Sequence, residues 1–182
     1  MKIDDEKWKM IKELFKKAGY SSMHYAIATV NREGEPHVTP IGSLFLTETC
    51  KGFYFEEYVV HMKRNIEHNH RVCVMALNSS KWFWLKALIR GRFNEPCSIR
   101  LMGTAGVKRD VTSREHRLFQ KITGPVKWTR GYKLLWENLK TVRDIRFDSY
   151  ELVKAGKMTA HLDFCILISD RQSVLLLPSS IE

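Results

Sequence analysis

The stretch Tyr25-Ala-Ile-Ala-Thr-Val30, followed by Asn31-Arg-Glu-Gly34 and by residues 36–46, decides the fold. The first and third segments are rich in residues that favour extended backbone, and the middle segment is rich in turn-forming residues. This order predicts a β-hairpin closed by a glycine turn. A second turn at residues 48–52 leads into Phe53-Tyr-Phe-Glu56. The first third of the chain therefore predicts three strands in a meander.

The rest of the chain alternates short apolar runs with amphipathic segments. Apolar residues at helical spacing predict an N-terminal helix over residues 5–17, which ends at Ala18-Gly19. Glycines at positions 103 and 106 indicate a bulge or tight curvature in a later strand. The further predicted elements are a helix over 61–68, strands over 71–77, 99–107 and 145–153, an insertion with one or two helical turns over 81–92, a helix beginning with the capping box Thr112-Ser-Arg-Glu115, and a helix over 132–142.

The composition is that of a single globular domain. The chain has 182 residues, of which 44% are hydrophobic and 27% charged. We expect one domain over 1–182, with a core over about 23–153 and an apolar tail over 160–182 whose partner is not assigned. No apolar run approaches the roughly 20 residues that span a bilayer, and the N-terminus is charged. These features predict a cytoplasmic protein.

The net charge and the cysteines limit the classes of partner. The formal net charge is +10, which favours an anionic partner such as nucleic acid, an acidic surface or a phosphorylated small molecule. The four cysteines lie far apart, without CxxC pairs, so we expect reduced thiols and no zinc site.

Three segments resemble one known family in the same order and at similar spacing. Residues 28–41 look like the first hairpin of the pyridoxamine 5'-phosphate oxidase-like FMN-binding proteins. Residues 63–72 look like their basic-x-Asn-Leu helix followed by Asn-Pro-Arg-Val, and residues 99–105 look like their later strand with Gly-x-Ala. The resemblance implies a mainly β fold with flanking helices, a six-stranded antiparallel split barrel, and an FMN held between the subunits of a homodimer.

The resemblance also implies which residues bind the cofactor. Cationic side chains near the start of the helix after the third strand would hold the phosphate, which matches the preference of phosphate for charge-assisted donors. Lys63, Arg64 and Asn65 are these candidates; when the family pattern is aligned on Asn65, its basic pair falls instead on His61 and Met62. Backbone groups along the isoalloxazine and ribityl chain would come from Thr39, Pro40, Ile41, Gly42, Glu56 and Glu57.

Within the family, the sequence favours a general FMN-dependent oxidoreductase acting on a small molecule with a separate electron donor. Residues 144–154 contain no counterpart of the basic and aromatic residues that bind substrate phosphate in the vitamin-forming oxidase. Trp82 and Trp84 could cover the flavin or a substrate, since aromatic rings stack on planar ligands, although core or dimer interface is the commoner role of such a cluster. The catalytic residues are unknown, and whether a deazaflavin takes the place of flavin stays open.

Two other functions compete with flavin chemistry. A haem-binding or haem-degrading split barrel would use His61, His68 or His70 as an axial ligand. A nucleic-acid-binding module would use the positive charge and exposed aromatics, but the basic residues are scattered and no aromatic strand motif is present, so we expect no nucleic-acid partner. The histidines and Cys73 cross from helix to strand, so we expect no metal site.

Overall fold

The computed structural model describes residues 3–162, and these form one antiparallel sheet with helices packed around it. The strands are β1 (Tyr25–Val30), β2 (Pro36–Ile41), β3 (Leu44–Leu46), β4 (Lys51–Phe55), β5 (Arg71–Leu77), β6 (Ser98–Asp110) and β7 (Thr141–Leu152). The α-helices are α1 (Asp5–Ser22), α2 (Val60–His68), α3 (Lys81–Arg90), α4 (Ser113–Thr123) and α5 (Arg130–Leu135). Two short 3-10 turns lie at Gly124–Val126 and Gly156–Thr159.

The sheet curls into a split barrel with the strand order β2-β1-β5-β6-β7-β4-β3. Strands β2 and β3 lie at opposite ends of this order, although only residues 42 and 43 separate them in sequence. The fold class is therefore confirmed as mainly β with flanking helices. The described residues contain seven strands instead of the predicted six, because the extended stretch 36–46 breaks at Gly42 into two strands. The three predicted strand segments do pair in chain order, because residues 36–41 pair with β1 and β3 pairs with β4, but the middle segment is divided between the two ends of the sheet.

Helix α1 is longer than the sequence predicts, because Gly19 does not end it. The helix continues to Ser22 and closes at Met23, which adopts a left-handed conformation with φ of 62°. A Cβ on Gly19 would lie 2.5 Å from the Tyr25 hydroxyl oxygen. The glycine therefore serves the close approach of β1 to the helix and has no role as a stop signal.

Strand β6 is bulged at its glycines, as the sequence predicts. Its pairing with β7 shifts register between Met102 and Gly103 and again between Ala105 and Lys108. A Cβ on Gly103 would lie 2.6 Å from the Arg146 carbonyl oxygen, so a larger residue would push the two strands apart. The bulges bend the strand and increase its twist, which helps the sheet to curl.

The predicted helix over 132–142 is largely wrong, because α5 ends at Leu135 and β7 begins at Thr141. Leu139 and Val142 are buried in a cluster with Phe45, Phe53, Phe55 and Phe119. This cluster lies between the outer face of the sheet and α4. Leu139 and Val142 are therefore buried without being part of a helix.

A second, larger cluster fills the barrel interior. It joins α1 and α2 to the inner faces of the strands, with Trp8, Ile27, Tyr54, Ile66 and Phe147 among its members. No helix among residues 3–162 is long and apolar enough to cross a membrane. The predicted apolar tail lies almost entirely outside the described residues.

Candidate functional site

Helix α2 carries the predicted phosphate ligands on its exposed side. Lys63 and Arg64 lie in the fourth and fifth positions of the helix, whereas the sequence places them near its start. Lys63 lies 4.0 Å from Glu67, with its side chain 43% exposed. The Arg64 side chain is exposed and makes no hydrogen bond or ion pair within residues 3–162. Both cations are therefore available to an anionic ligand.

The opposite side of α2 packs into the barrel. Met62 is 1% exposed and belongs to the interior cluster. Asn65 is also buried, and its Nδ2 donates a hydrogen bond to Oγ1 of Thr29 at 3.0 Å. The structure thus commits the side chains of Met62 and Asn65 to the core. The Asn65 amide anchors α2 to β1 and does not project beside Lys63 as a phosphate donor.

The start of α2 has free backbone donors. No side chain caps the helix at Val59, and the first helical turn contains no acidic residue. The first amides of an α-helix lack intrahelical partners and favour negative charge. His61 is exposed in this first turn. The combination of uncapped amides with Lys63 and Arg64 fits a phosphate group.

The segment Thr39 to Gly42 forms the corner between β2 and β3. Ile41 is buried in the interior cluster, whereas Pro40 and Gly42 are exposed. That same cluster includes Tyr54 of β4 and Met62 of α2. The end of β2, β4 and helix α2 therefore pack on the same hydrophobic core.

Glu56 forms a buried ion pair that local sequence does not reveal. Its carboxylate accepts hydrogen bonds from Nε and Nη2 of Arg143 at 2.5 and 2.8 Å, and both side chains are almost fully buried. The Tyr54 hydroxyl donates to the same carboxylate at 2.8 Å. Burial, followed by the adjacent Glu56 charge, raises the pKa of Tyr54. The side chain of Glu56 is therefore fully engaged, and its backbone amide also donates to the Thr141 carbonyl oxygen at 3.1 Å.

The carboxylate of Glu57 is also engaged within the protein, by backbone amides at the start of β7. Its Oε1 accepts hydrogen bonds from the backbone amides of Lys140 and Thr141 at 2.6 and 2.7 Å. Burial would raise the pKa of the Glu57 carboxyl, but these hydrogen bonds outweigh burial and lower it. The carboxylate thus ties the segment after β4 to the first residue of β7.

Trp82 and Trp84 lie on different sides of α3, which has ten residues and is longer than the predicted one or two turns. Trp84 packs against Phe93, and its Nε1 donates to the Asn78 carbonyl oxygen at 2.7 Å. Trp82 is 71% exposed. Of the two predicted covers, Trp84 is held by the local core and Trp82 is free to contact a ligand or a second subunit.

The histidines and thiols offer no metal cluster in the described part of the chain. Residues 3–162 contain no group of three or more His, Cys, Asp or Glu that could hold a metal ion. His61, His68 and His70 are exposed. Burial raises the pKa of the Cys73 thiol, which therefore favours the neutral form.

Arg143 is the principal residue of this region that the sequence analysis misses. It lies 87 residues from Glu56 along the chain and two residues before the predicted closing strand. No local motif signals its partner, because the two residues meet only through the pairing of β4 with β7.

Comparison with known proteins identifies a family whose model matches this chain. A family model described as pyridoxamine 5'-phosphate oxidase matches residues 11–143, which is more than half of the chain. Comparison with curated proteins gives no match.

Several solved structures share the fold. HupZ from Group A Streptococcus superposes with a TM-score of 0.53 and 16% identity, covering 81% of this chain and 94% of that chain. An FMN-binding protein from Syntrophomonas wolfei subsp. wolfei gives a TM-score of 0.51 at 17% identity, over 82% of this chain and 93% of that one. HutZ, the heme storage protein from Vibrio cholerae, gives 0.52 at 16% identity, over 84% and 95%. At these identities the likeness shows the fold alone.

Proposed function

The chain belongs to the pyridoxamine 5'-phosphate oxidase family, and on that premise we propose that it is an FMN-binding flavoprotein, an oxidoreductase acting on a small molecule in the cytoplasm. The observation that carries the proposal is the pair Lys63 and Arg64. Both lie inside the matched region, on the exposed side of α2. Among residues 3–162, Lys63 has one ion-pair partner, Glu67 at 4.0 Å, and the Arg64 side chain has none.

In this proposal the protein supplies position and charge. Lys63 and Arg64 neutralise the phosphate together with the first amides of α2, and the backbone at the β2–β3 corner and after β4 borders the ring system. Bound FMN would supply the redox chemistry, through which electrons pass between a donor and an acceptor. The residues of this chain hold the cofactor and exclude water from one side of it.

A homodimer is part of the proposal. The β2–β3 corner and the exposed side of α2 offer an open surface, so a single subunit would leave much of a bound ring in water. We propose that a second copy covers it, with exposed Trp82 as a candidate contact. Sedimentation should show a dimer at micromolar protein concentration, and a monomer would contradict this arrangement.

The test of the proposed site compares FMN with riboflavin, which lacks the phosphate. Charge-assisted hydrogen bonds contribute on the order of 1.5–3 kcal/mol each. The double variant Lys63→Ala/Arg64→Ala should therefore weaken FMN binding by roughly tenfold to several-hundredfold or more. Riboflavin affinity should hardly change. Fluorescence titration of both ligands measures the difference.

The matched control removes two charges elsewhere. Lys9 and Lys16 are exposed on α1, so Lys9→Ala/Lys16→Ala lowers the net charge equally without touching α2. This control should leave FMN affinity unchanged. Equal losses for FMN and riboflavin, or no loss for FMN, would show that Lys63 and Arg64 do not bind the phosphate.

Haem binding is the alternative function, and it is tested by adding haem to the purified protein. His61 and His68 are exposed on α2, seven residues apart, and helical residues at that spacing share one face. A Soret band on haem addition, abolished by His61→Ala or His68→Ala and accompanied by no FMN uptake, would replace the flavin proposal with haem binding.

A further inference from the structure

Helix α3 exposes an apolar stripe on the side that faces away from the protein. The side chains on its inner side are held in a local core cluster and are Phe83, Trp84 and Ala87. Leu85 lies three positions before Leu88 and four before Ile89, so these three side chains adjoin on the outer side. Leu88 and Ile89 are 63% and 77% exposed. Adjoining apolar side chains that remain exposed mark an interaction surface.

Basic side chains flank this stripe, and no acidic residue lies beside it in the sequence. Residues 79–94 contain no aspartate or glutamate, and their basic residues are Lys81, Lys86, Arg90 and Arg92. All of these cations are exposed, and none of their side chains makes a hydrogen bond or ion pair within residues 3–162. Lys86 and Arg90 lie four positions apart and therefore form a row along one border of the stripe.

A small open depression at the end of α3 brings cations together beside the stripe. It has a volume of about 200 Å³ and is lined by Lys86, Arg90 and Arg92. Glu95, the one carboxylate among its lining residues, is bound by Lys17. The volume is below the range of about 300–1,000 Å³ that is typical of small-molecule sites. The depression therefore suits a single anionic group, such as the phosphate of a lipid headgroup.

This combination fits the surface of an anionic membrane better than a second copy of the chain. An amphipathic helix with an apolar side and flanking basic residues lies in the interface between water and lipid tails. Its long basic side chains reach the headgroups while their stems cover apolar surface. A two-fold contact between two copies through these residues would place Lys86 and Arg90 of one copy near the same cations of the other, and like charges repel.

We propose that the second half of α3 is a docking surface for an anionic lipid bilayer. Leu85, Leu88 and Ile89 enter the boundary between headgroups and lipid tails, and the cations that line the depression contact lipid phosphates. The protein is held at the bilayer surface and does not cross it. Trp82, the candidate contact of the proposed dimer, is not required for this docking. The inference depends on neither flavin binding nor the dimer.

Co-sedimentation of the full-length protein with lipid vesicles tests the proposal. Vesicles of phosphatidylglycerol and phosphatidylcholine in equal parts should bind the protein, and vesicles of phosphatidylcholine alone should bind it much more weakly. Binding to the anionic vesicles should fall steeply in about 1 M salt, where charges are screened within a few ångströms.

The first variant, Lys86→Ala/Arg90→Ala, removes the row of cations. Each basic residue near an anionic membrane contributes roughly fivefold to affinity, so the loss should be roughly thirtyfold. The matched control is Lys9→Ala/Lys16→Ala, which lowers the net charge equally at exposed positions of α1. This control should lose less than about threefold, because charges farther than the screening length from the membrane contribute little.

The second variant, Leu88→Ala/Ile89→Ala, removes most of the stripe and keeps every charge. Alanine favours the helix, so α3 should stay folded. Binding to anionic vesicles should weaken by at least about tenfold, because less apolar surface leaves water. The matched control is Ile122→Ala/Leu134→Ala, whose side chains are each 67% exposed on α4 and α5. This control should bind the vesicles as the unmodified protein does.

Both α3 variants should keep the melting temperature and the FMN affinity of the unmodified protein, which separates this surface from the fold and from the proposed flavin site. Three results would overturn the proposal. The first is no binding of the unmodified protein to anionic vesicles, as expected if another part of the chain or a second copy covers α3. The second is equal loss in an α3 variant and its matched control, which would indicate general attraction of a basic protein. The third is loss of FMN affinity in the α3 variants without loss of vesicle binding.

Discussion

Arg143 and Arg146 lie three residues apart on β7 and show how differently the two faces of one strand use the same side chain. Arg143 points into the barrel, where it binds Glu56 through two nitrogens and the Gly106 carbonyl through a third. Arg146 points outward, opposite Lys51, and its side chain has no hydrogen bond or ion pair within residues 3–162. Within residues 3–162, no buried side-chain nitrogen or oxygen lacks a hydrogen-bond partner, whereas the outer arginine is available to a ligand. The contrast separates charges that hold the fold from charges that recognise a partner.

The largest expected effect is on the inner arginine. Arg143→Ala leaves the Glu56 carboxylate buried without its counter-charge, and breaking such a pair costs about 3–5 kcal/mol of the free energy of unfolding. Arg146→Ala should change this free energy by no more than about 0.5 kcal/mol, as is usual for surface positions. Urea denaturation of the two variants measures the difference. Similar values for both would mean that the inner pair contributes little to stability.

Replacing the whole inner pair sharpens this result. The double variant Arg143→Met/Glu56→Leu removes both charges and keeps apolar volume. It should therefore recover much of the stability lost in Arg143→Ala, because the cost of the single change comes mainly from the stranded carboxylate. If the double variant is as unstable as Arg143→Ala, the loss of stability comes from altered packing and not from the unpaired carboxylate.

The burial of Arg109 is intermediate between that of Arg143 and that of Arg146, since its side chain is 35% exposed. Its ion-pair partner Glu115 allows a test of how stability depends on pH. The hydrogen bonds from Arg109 lower the pKa of Glu115 to about 2 from the ordinary value of 4.5. A lowered pKa stabilises the fold above pH 4.5, and this contribution is lost as the pH falls toward about 2. Glu115→Gln should therefore flatten the fall in stability across this window and cost about 1 kcal/mol near neutral pH.

The Gln substitution is chosen because it keeps the capping box that starts α4. Thr112 and Glu115 cap each other's backbone amides, and a glutamine can make the same contact. Glu13→Gln, at an exposed position on α1, serves as the control and should leave the pH dependence of the urea midpoint nearly unchanged. A slope in Glu115→Gln as steep as in the unmodified protein would assign the acid sensitivity to other carboxylates.

The smallest expected effect tests the outer arginine by reversing its charge. Arg146→Glu would place a carboxylate opposite Lys51, and replacing a like-charged pair by an opposite-charged one should stabilise the sheet by about 0.2–1 kcal/mol. The gain should disappear in about 1 M salt, where charges are screened within a few ångströms. A destabilised or salt-independent variant would mean that the repulsion between Lys51 and Arg146 is not felt in the free protein.

Local sequence signals explain which elements could be predicted. The capping box at Thr112 and the turn at Asn31 to Gly34 act within a few residues, and both predicted elements form where expected. The glycines of β6 are also informative, because Gly103 is required by the close approach of the adjacent strand. In each case the physical cause lies inside the segment or against its direct neighbour.

The failures have causes outside the local segment, some close in the chain and some far away in sequence. Gly19 reads as a helix stop, but its space is taken by the Tyr25 hydroxyl. Leu139 and Val142 read as one face of a helix, but the cluster they enter includes strands nearly a hundred residues earlier. The candidate site shows the same limit. Lys63 and Arg64 could be found from a family pattern, whereas the engagement of Asn65 with Thr29 and of Glu56 with Arg143 depends on strand pairing.

The distance between Glu56 and Arg143 along the chain has a consequence for how the protein is made. During synthesis the carboxylate leaves the ribosome 87 residues before its arginine. At about 5–20 residues per second, the nascent chain carries an unpaired Glu56 for roughly 4–17 s. Burying that charge alone is costly, so we expect β4 to stay hydrated and the barrel to consolidate only when β7 emerges. The ion pair thus ties the consolidation of the barrel to the synthesis of β7.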